Sequence, residues 1–352
     1  MVLLSKRILI LTFALLLGTC FSTAQTLKDF AKETAKGVRS YEQAVHTYQF
    51  GEPTPVGTRM FEAEFDGAGN LTKYSTYNEE GELVDSKQYE YDAAGNVTKE
   101  TFYDDGGEMI SLKRYRYDLD NNLIEESEHE PNESIISKKN YEYENGNLTK
   151  KTAYNESGEI IAREIYYYTS TGNLDKMIGY DSEGQPNIKI DYKYDTNNRV
   201  TEKLTYDAEG IVVLKDVNEY DQSGNLVTTI SYESDGSLVS KTSNKYDSKN
   251  NLVEKTNYDD SGDLANIMKY EYNDSRMITE EKEFNSDSEL VFMRKFTYTQ
   301  NGNIEKEIYE NPSEEIYQEF RYGFDDKGNV TEVVEFDRLK EPIKSYMIDY
   351  IY

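Results

Sequence analysis

Carboxylates are the most abundant reactive groups in this chain. It carries 67 Asp and Glu against 39 Lys and Arg, with two histidines and one cysteine. That inventory allows three kinds of chemistry. A facing pair of carboxylates can hydrolyse a glycosidic bond, one as acid and the other as base or nucleophile. Converging carboxylates can hold Ca²⁺, which takes several oxygen ligands. A histidine beside a hydroxyl and an acid can activate a nucleophile. The sequence singles out no carboxylate pair and shows no Ser-His-Asp or His-rich metal spacing. His46 falls in a segment with helical spacing. His129 takes a place that an aromatic fills in neighbouring repeats, so packing is its preferred role. No catalytic, cofactor-binding or metal-ligating residue is therefore assigned, no cofactor is expected, and the chain reads as a non-enzyme. A glycoside hydrolase and a Ca-binding surface protein remain as remote alternatives.

The turn acids need a closer comparison. Asp92, Asp118, Asp195, Asp221, Asp247 and Asp325 recur at equivalent points of a repeat. Along one sheet edge such residues lie two strands apart, about 10 Å, so one per turn does not close an ion site alone. Asn70, Asn96 and Asn225 could add ligands. An Asp after an aromatic also forms an Asx-turn with its own backbone, and that is the preferred reading.

The repeat itself is set by aromatics. From Phe65 through Tyr91, Tyr117 and Tyr143 to Phe324 and Tyr350, each step is 26 residues, except Tyr143 to Tyr168 at 25. A period of this size marks an array of supersecondary units. A second series, including Tyr77, Tyr103, His129 and Tyr154, falls between these anchors. After most of these aromatics comes Asp or Asn and then, three residues later, Gly. Such a Gly supplies the left-handed residue of a hairpin loop. Asn121, Asn198 and Asn250 replace it in the turn after the anchor, and Asn tolerates positive φ. Arg276 breaks the rule there, and Glu133 and Ser288 break it in the second turn. Between turns, apolar and polar residues alternate with period two, as in a half-buried strand.

The expectation is an all-β fold, an antiparallel meander of about 23 strands in 26-residue repeats, coiled by its natural twist into a spiral or solenoid-like sheet. Residues 59–352 form this array. Residues 25–58 are read as an N-terminal amphipathic helix and Pro-rich linker: Leu27, Phe30, Ala31, Thr34, Val38, Tyr41, Val45 and Tyr48 follow 3/4 spacing. This helix would cover the first edge strand. Residues 1–24 read as a signal peptide, with Lys6 and Arg7 before an apolar run and Ser22-Thr23-Ala24 before the cleavage point. Leu17-Gly18-Thr19-Cys20 also resembles a lipobox, which makes anchoring through Cys20 a secondary reading. Export leads to a secreted, periplasmic or cell-surface location.

Removing residues 1–24 takes away two basic groups and no acid, moving the net charge from −28 to −30. Nucleic acid is excluded as a partner, because phosphate contacts need clustered Lys and Arg. The apolar run of the leader is too short for a transmembrane span. A protein or a glycan at the cell surface is the expected partner. The final strand, with Tyr346, Ile348 and Tyr350 on one face, ends the array as a poorly protected edge that either closes against another part of the spiral or pairs with a second chain, the second being the preferred expectation.

Arg114-Tyr115-Arg116-Tyr117-Asp118, Tyr89-Glu90-Tyr91-Asp92-Ala93-Ala94-Gly95-Asn96-Val97 and Asp221-Gln222-Ser223-Gly224-Asn225-Leu226 resemble the YD repeats of the RHS family of bacterial secreted and surface proteins. MORN-type repeats share part of that pattern. The resemblance covers about residues 59–352. It implies a spiralling β-sheet shell and a secreted repeat scaffold, with carbohydrate or cell-surface binding loosely attached. No conserved-core segment or toxin domain follows the array in this sequence, so toxin delivery is not carried over. A binding scaffold is the first functional expectation and a lectin-like module the alternative.

Overall fold

The computed structural model describes residues 37–352; the expected signal peptide and residues 25–36 lie outside that range. Twenty-five strands occur among the described residues, and one of them, β2 (Glu52–Pro53), is a short return on the end of β1 (Ser40–Gln49). The other strands, seven to ten residues long, form one sheet in which sequence neighbours pair antiparallel. The alternating Tyr, Leu, Thr and Lys pattern therefore builds the meander that it encodes.

The ends of the sheet meet. β1 pairs with β3 (Thr58–Phe65), Tyr41 opposite Ala63. On its other side β1 pairs with β25 (Pro342–Ile351), Tyr41 opposite Tyr350 and Val45 opposite Tyr346. The result is a closed 24-stranded barrel, which corrects the expected spiral. Strand parity gives the reason. The repeats supply the 23 strands from β3 to β25. An odd meander would bring its first and last strands together parallel. One more strand makes the number even and lets every seam be antiparallel. With 24 strands ~4.8 Å apart and tilted 35–45°, the backbone cylinder is about 45 Å across, far too wide for side chains to fill. All extensive contacts between strands join neighbours on the sheet.

Two expectations fall with the spiral. No helix occurs among the described residues; the segment expected to be helical is β1 from Ser40 onward. Tyr41 and Val45 are four apart, which suits a 3.6 period and a period of two equally well. Gln43, between them on the same face and buried, hides the alternation. The final strand is not an open edge either, because β1 occupies it.

Turn chemistry matches its sequence signals. Asp92 N–H donates to Asn96 C=O at 3.0 Å, and Gly95 N–H donates to Asp92 C=O at 3.1 Å. Gly95 sits at φ 83°. Asn121, Asn198 and Asn250 take φ 60–64° in its place, and Arg276, Glu133 and Ser288 are forced to 62°, 69° and 65°. The Asn choice has a further cause. Asn96 Nδ2 donates to Asn121 Oδ1, Asn173 Nδ2 to Asn198 Oδ1, and Asn225 Nδ2 to Asn250 Oδ1, each at 3.0 Å. A left-handed Asn thus ties its turn to the preceding one at the same end. The short repeat is explained by Asn145 and Gly146, both at positive φ (51° and 79°). They make the two-residue Asn-Gly hairpin, one residue shorter than its neighbours, between β9 (Ile135–Glu144) and β10 (Asn147–Tyr154).

Left-handed backbone costs a side-chain-bearing residue about 1 kcal/mol. Arg276→Gly should therefore raise stability by about 1 kcal/mol. Asn250→Gly should gain less, because it gives up the bond from Asn225. Urea midpoints of the two variants check the order, and a larger gain for Asn250→Gly would contradict it.

Candidate interaction surfaces

Successive residues of a strand point to opposite faces, so the ion pairs show what each face meets. On β8 (Leu123–His129), Glu125 pairs with Arg116 at 3.4 Å, while its neighbour Glu126 pairs with Lys139 at 3.4 Å on the other face. On β14 (Val200–Tyr206), Glu202 bonds Lys193 and Lys215 at 2.5 and 3.0 Å, while Lys203 faces Asp216 at 3.6 Å. Charges therefore line both surfaces of the barrel wall. Each such pair is mostly screened and contributes about 0.2–1 kcal/mol.

Toward the strand ends one face is the more open. On β5 (Leu83–Tyr91), Val84, Gln88 and Glu90 are exposed, with Ser86 buried between them, whereas Leu83, Asp85, Lys87, Tyr89 and Tyr91 are half-buried. Side chains diverge on a convex wall and converge on a concave one, so the Tyr89 and Tyr91 face is the lumenal one. Its anchor tyrosines have a fixed task. Tyr91 Oη donates to Leu71 C=O at 2.6 Å, and Tyr194, Tyr220 and Tyr246 repeat the contact to Leu174, Val200 and Leu226 at 2.7–2.9 Å. The register between β4 (Leu71–Tyr77) and β5 stops short of Leu71, at Lys73 opposite Gln88. The phenol thus supplies a partner for a carbonyl that the ladder leaves beside the bulge. A second lumenal row puts phenols on carboxylates. Tyr141 donates to Glu126 at 2.9 Å and Tyr322 to Glu307 at 3.3 Å, and Arg294 holds the buried Glu307 at 2.7 Å.

The turn acids form Asx-turns. Asp92 Oδ1 accepts from the N–H groups of Ala94 and Asn96, both at 2.9 Å, and Oδ2 accepts from Asn96 Nδ2 at 3.1 Å. Asp118, Asp247 and Asp325 repeat the pattern. At Asp195 the Oδ2 partner is Arg199. Asp221 bonds the N–H and side chain of Asn225. Asn70 and Asn96, considered as ion ligands, are instead the donors that satisfy Asp66 and Asp92. Among the described residues no group of three or more His, Cys, Asp or Glu is placed to hold a metal. The cleft between the first two anchor turns, about 730 Å³, is lined by Asp66, Asn70, Tyr89, Tyr91 and Asp92.

The histidines are not brought together. His46 is on β1, Nδ1 at 2.6 Å from Thr54 C=O, with Gly57 against its ring. His129 is buried at the end of β8. Its Nδ1 donates to Glu133 C=O at 3.1 Å, so Nε2 accepts from Ser127 Oγ at 2.8 Å. This Ser–His contact has i, i+2 strand spacing, and both side chains are buried away from solvent. The Tyr–carboxylate rows were missed in the sequence because they join residues 15 apart, a distance fixed only by the register.

No protein-family model and no curated protein matches this sequence. Among solved structures, the Tc holotoxin pore of Photorhabdus luminescens is similar over 82% of this chain at 11% identity with TM-score 0.32. A TcdB2–TccC3 protein without its hypervariable C-terminal region is similar over 86% at 11% identity and TM-score 0.22. This chain spans 22–23% of the length of those two. A porin-like protein from Bacteroides uniformis is similar over 89% of this chain and 96% of its own, at 12% identity and TM-score 0.24.

Burial pushes the phenols of Tyr41, Tyr91 and Tyr346 up to about 12 from 10.0. The unfolded chain then ionises first, so the stability from neutral phenols is whole below pH 10 and is lost as pH rises toward 12. Hydrogen bonds from Asn96 and Asn251 hold Asp92 and Asp247 below 3.8, so their contribution is present above that pH and is lost on acidification through the lowered values. In a pH series the last part of the phenolate absorbance should rise in step with loss of β circular dichroism between pH 10 and 12. Complete ionisation of the 32 tyrosines near pH 10 with the sheet intact would contradict the buried phenol rows.

Proposed function

We propose that the chain is an exported, non-enzymatic scaffold that works in water as a hollow barrel and presents acidic, Tyr-rich surfaces to a protein partner at the cell surface. One observation carries this reading: adjacent residues of the same strand enter ion pairs on opposite faces, as at Glu125 and Glu126. A bilayer-spanning barrel needs an outward apolar band about 25 Å tall, and a Lys or Arg in it costs about 2–4 kcal/mol at the midplane. Here the more exposed face carries Arg116, Lys193 and Lys245 in charged pairs near the anchor turns, and Lys138 and Lys215 further along their strands pair with Glu125 and Glu202 on that face. The leader-like residues 1–24 and the resemblance to secreted repeat proteins support export.

The glycan-binding alternative asks for open tyrosine faces on which sugars stack. Three tyrosines of the second aromatic series are covered instead. Lys138, Lys189 and Lys241 sit 4.4–5.3 Å from the ring centres of Tyr154, Tyr206 and Tyr258. The protein-binding reading is therefore preferred.

Expressed with its leader, the protein should be recovered from the exported fraction without detergent. Added to planar bilayers, it should leave conductance at baseline. A detergent-dependent particle, or discrete conductance steps, would contradict a water-borne barrel.

A further inference from the structure

The two ends of the barrel differ in a way that its repeat does not require. Antiparallel hairpins alternate between ends, so the turns after the anchor aromatics lie at one end and the second turns at the other. The eleven second turns, from 78–82 to 337–341, carry 25 acidic and 2 basic residues, while the eleven anchor turns, from 66–70 to 325–329, carry 11 and 4. The exposed large hydrophobics gather at the same acidic end. Twelve of the sixteen among the described residues lie there, including Phe50, Val56, Ile211 and Leu339 on its loops.

Most of the others at that end are bulge residues. Between Thr76 opposite Asp85 and Tyr77 opposite Leu83 the register skips Val84. In the same way Ile110, Ile136, Ile161, Val213 and Val239 are skipped at their hairpins, with Asn187 in that place between Ile161 and Val213 and Ala265 after Val239. A bulge re-aims a side chain, and these are turned out to solvent, Ile110 at 53% and Val84 at 48% exposure. The anchor end provides the control. Its hairpins have the same one-residue skip, filled at six of them by Thr72, Thr98, Thr149, Thr201, Thr279 and Thr331, at two by Asp175 and Glu305, and at three by Ile124, Val227 and Val253, which stay half-buried. A bulge in this wall is therefore satisfied by Thr, and the Val and Ile at the other end are not demanded by the fold.

The geometry points to the second-turn end as a docking ring for a cationic protein partner with apolar contact residues. This rests on the reading of the barrel as a water-borne scaffold. Charge complementarity selects the occupant. A second copy would set one acidic crown against another, and an anionic lipid surface would be repelled. A basic partner gains steering from the crown and burial from the Val and Ile ring beneath it. Spaced two strands apart, about 10 Å, the ring residues suit several separate contacts around the rim better than one continuous groove.

The test uses the full-length protein after export, with three probes: a Leu/Lys amphipathic peptide, a Gly/Lys peptide of equal charge, and zwitterionic vesicles. Photo-crosslinking of the Leu/Lys peptide should map to the second-turn end, and its affinity should fall as salt rises. The variant Val84→Ser, Ile110→Ser, Ile136→Ser and Ile161→Ser should weaken it about tenfold or more. A paired variant at the anchor end, Leu119→Ser with Tyr167→Ser, should not. Unchanged circular dichroism in both variants keeps the comparison valid. Equal crosslinking at both ends, or affinity for the Gly/Lys peptide matching that for the Leu/Lys peptide, would overturn the proposal. Vesicle binding that the four-site variant abolishes would replace it with a lipid-facing rim. Those outcomes are distinct from failure of the scaffold reading, which the conductance and detergent measurements detect on their own.

Discussion

The structure depends on one strand. β1 sits between β3 and β25 and satisfies both edges of a sheet that would otherwise present two long rows of unpaired N–H and C=O groups. Such edges invite pairing with other chains. Closure removes them, and the whole wall then consists of neighbours supporting neighbours. Two clusters of buried residues flank this seam: Tyr41, Ala63, Leu71 and Tyr74 on one side, Phe320, Tyr322, Val330, Val333 and Tyr346 on the other. Elsewhere few apolar side chains are fully buried. The barrel is held by its ladder, its bonded turns and its partly buried tyrosines, and apolar packing is concentrated where the ring is joined.

The repeat was legible in the chain because its signals are local. The spacing of Tyr91, Tyr117 and Tyr143 marks strand ends. Gly95 or Asn121 marks a left-handed residue, and Asp92 marks a turn whose side chain bonds its own backbone. The outcome at Arg276 shows how strongly neighbouring repeats impose that conformation: it adopts φ 62° without a side chain suited to it.

The sequence leaves closure as one of two outcomes for the last strand and does not decide it, and the reason is physical. β1 has no anchor aromatic and no YD-like turn, so it does not announce itself as a member of the array. Tyr41 and Val45 fit a helix and a strand equally well, and Gln43 removes the alternation that would have decided. Whether a twisted sheet coils on or joins depends on parity and on one non-repeating strand, and period counting is blind to both. The candidate surfaces divide likewise. The turn acids were identified correctly as Asx-turns, whereas the Tyr141–Glu126 and Tyr322–Glu307 contacts exist only once the register is known.

The seam can be tested directly. Ala44 lies opposite Met347 across the join of β1 and β25. A chain carrying Cys20→Ser, Ala44→Cys and Met347→Cys should form an intramolecular disulfide under mild oxidation, visible as a monomer of altered mobility on a non-reducing gel and as a rise in thermal midpoint. A protein that stays reduced, or that links only between chains while remaining folded, would show that the barrel does not close on β1.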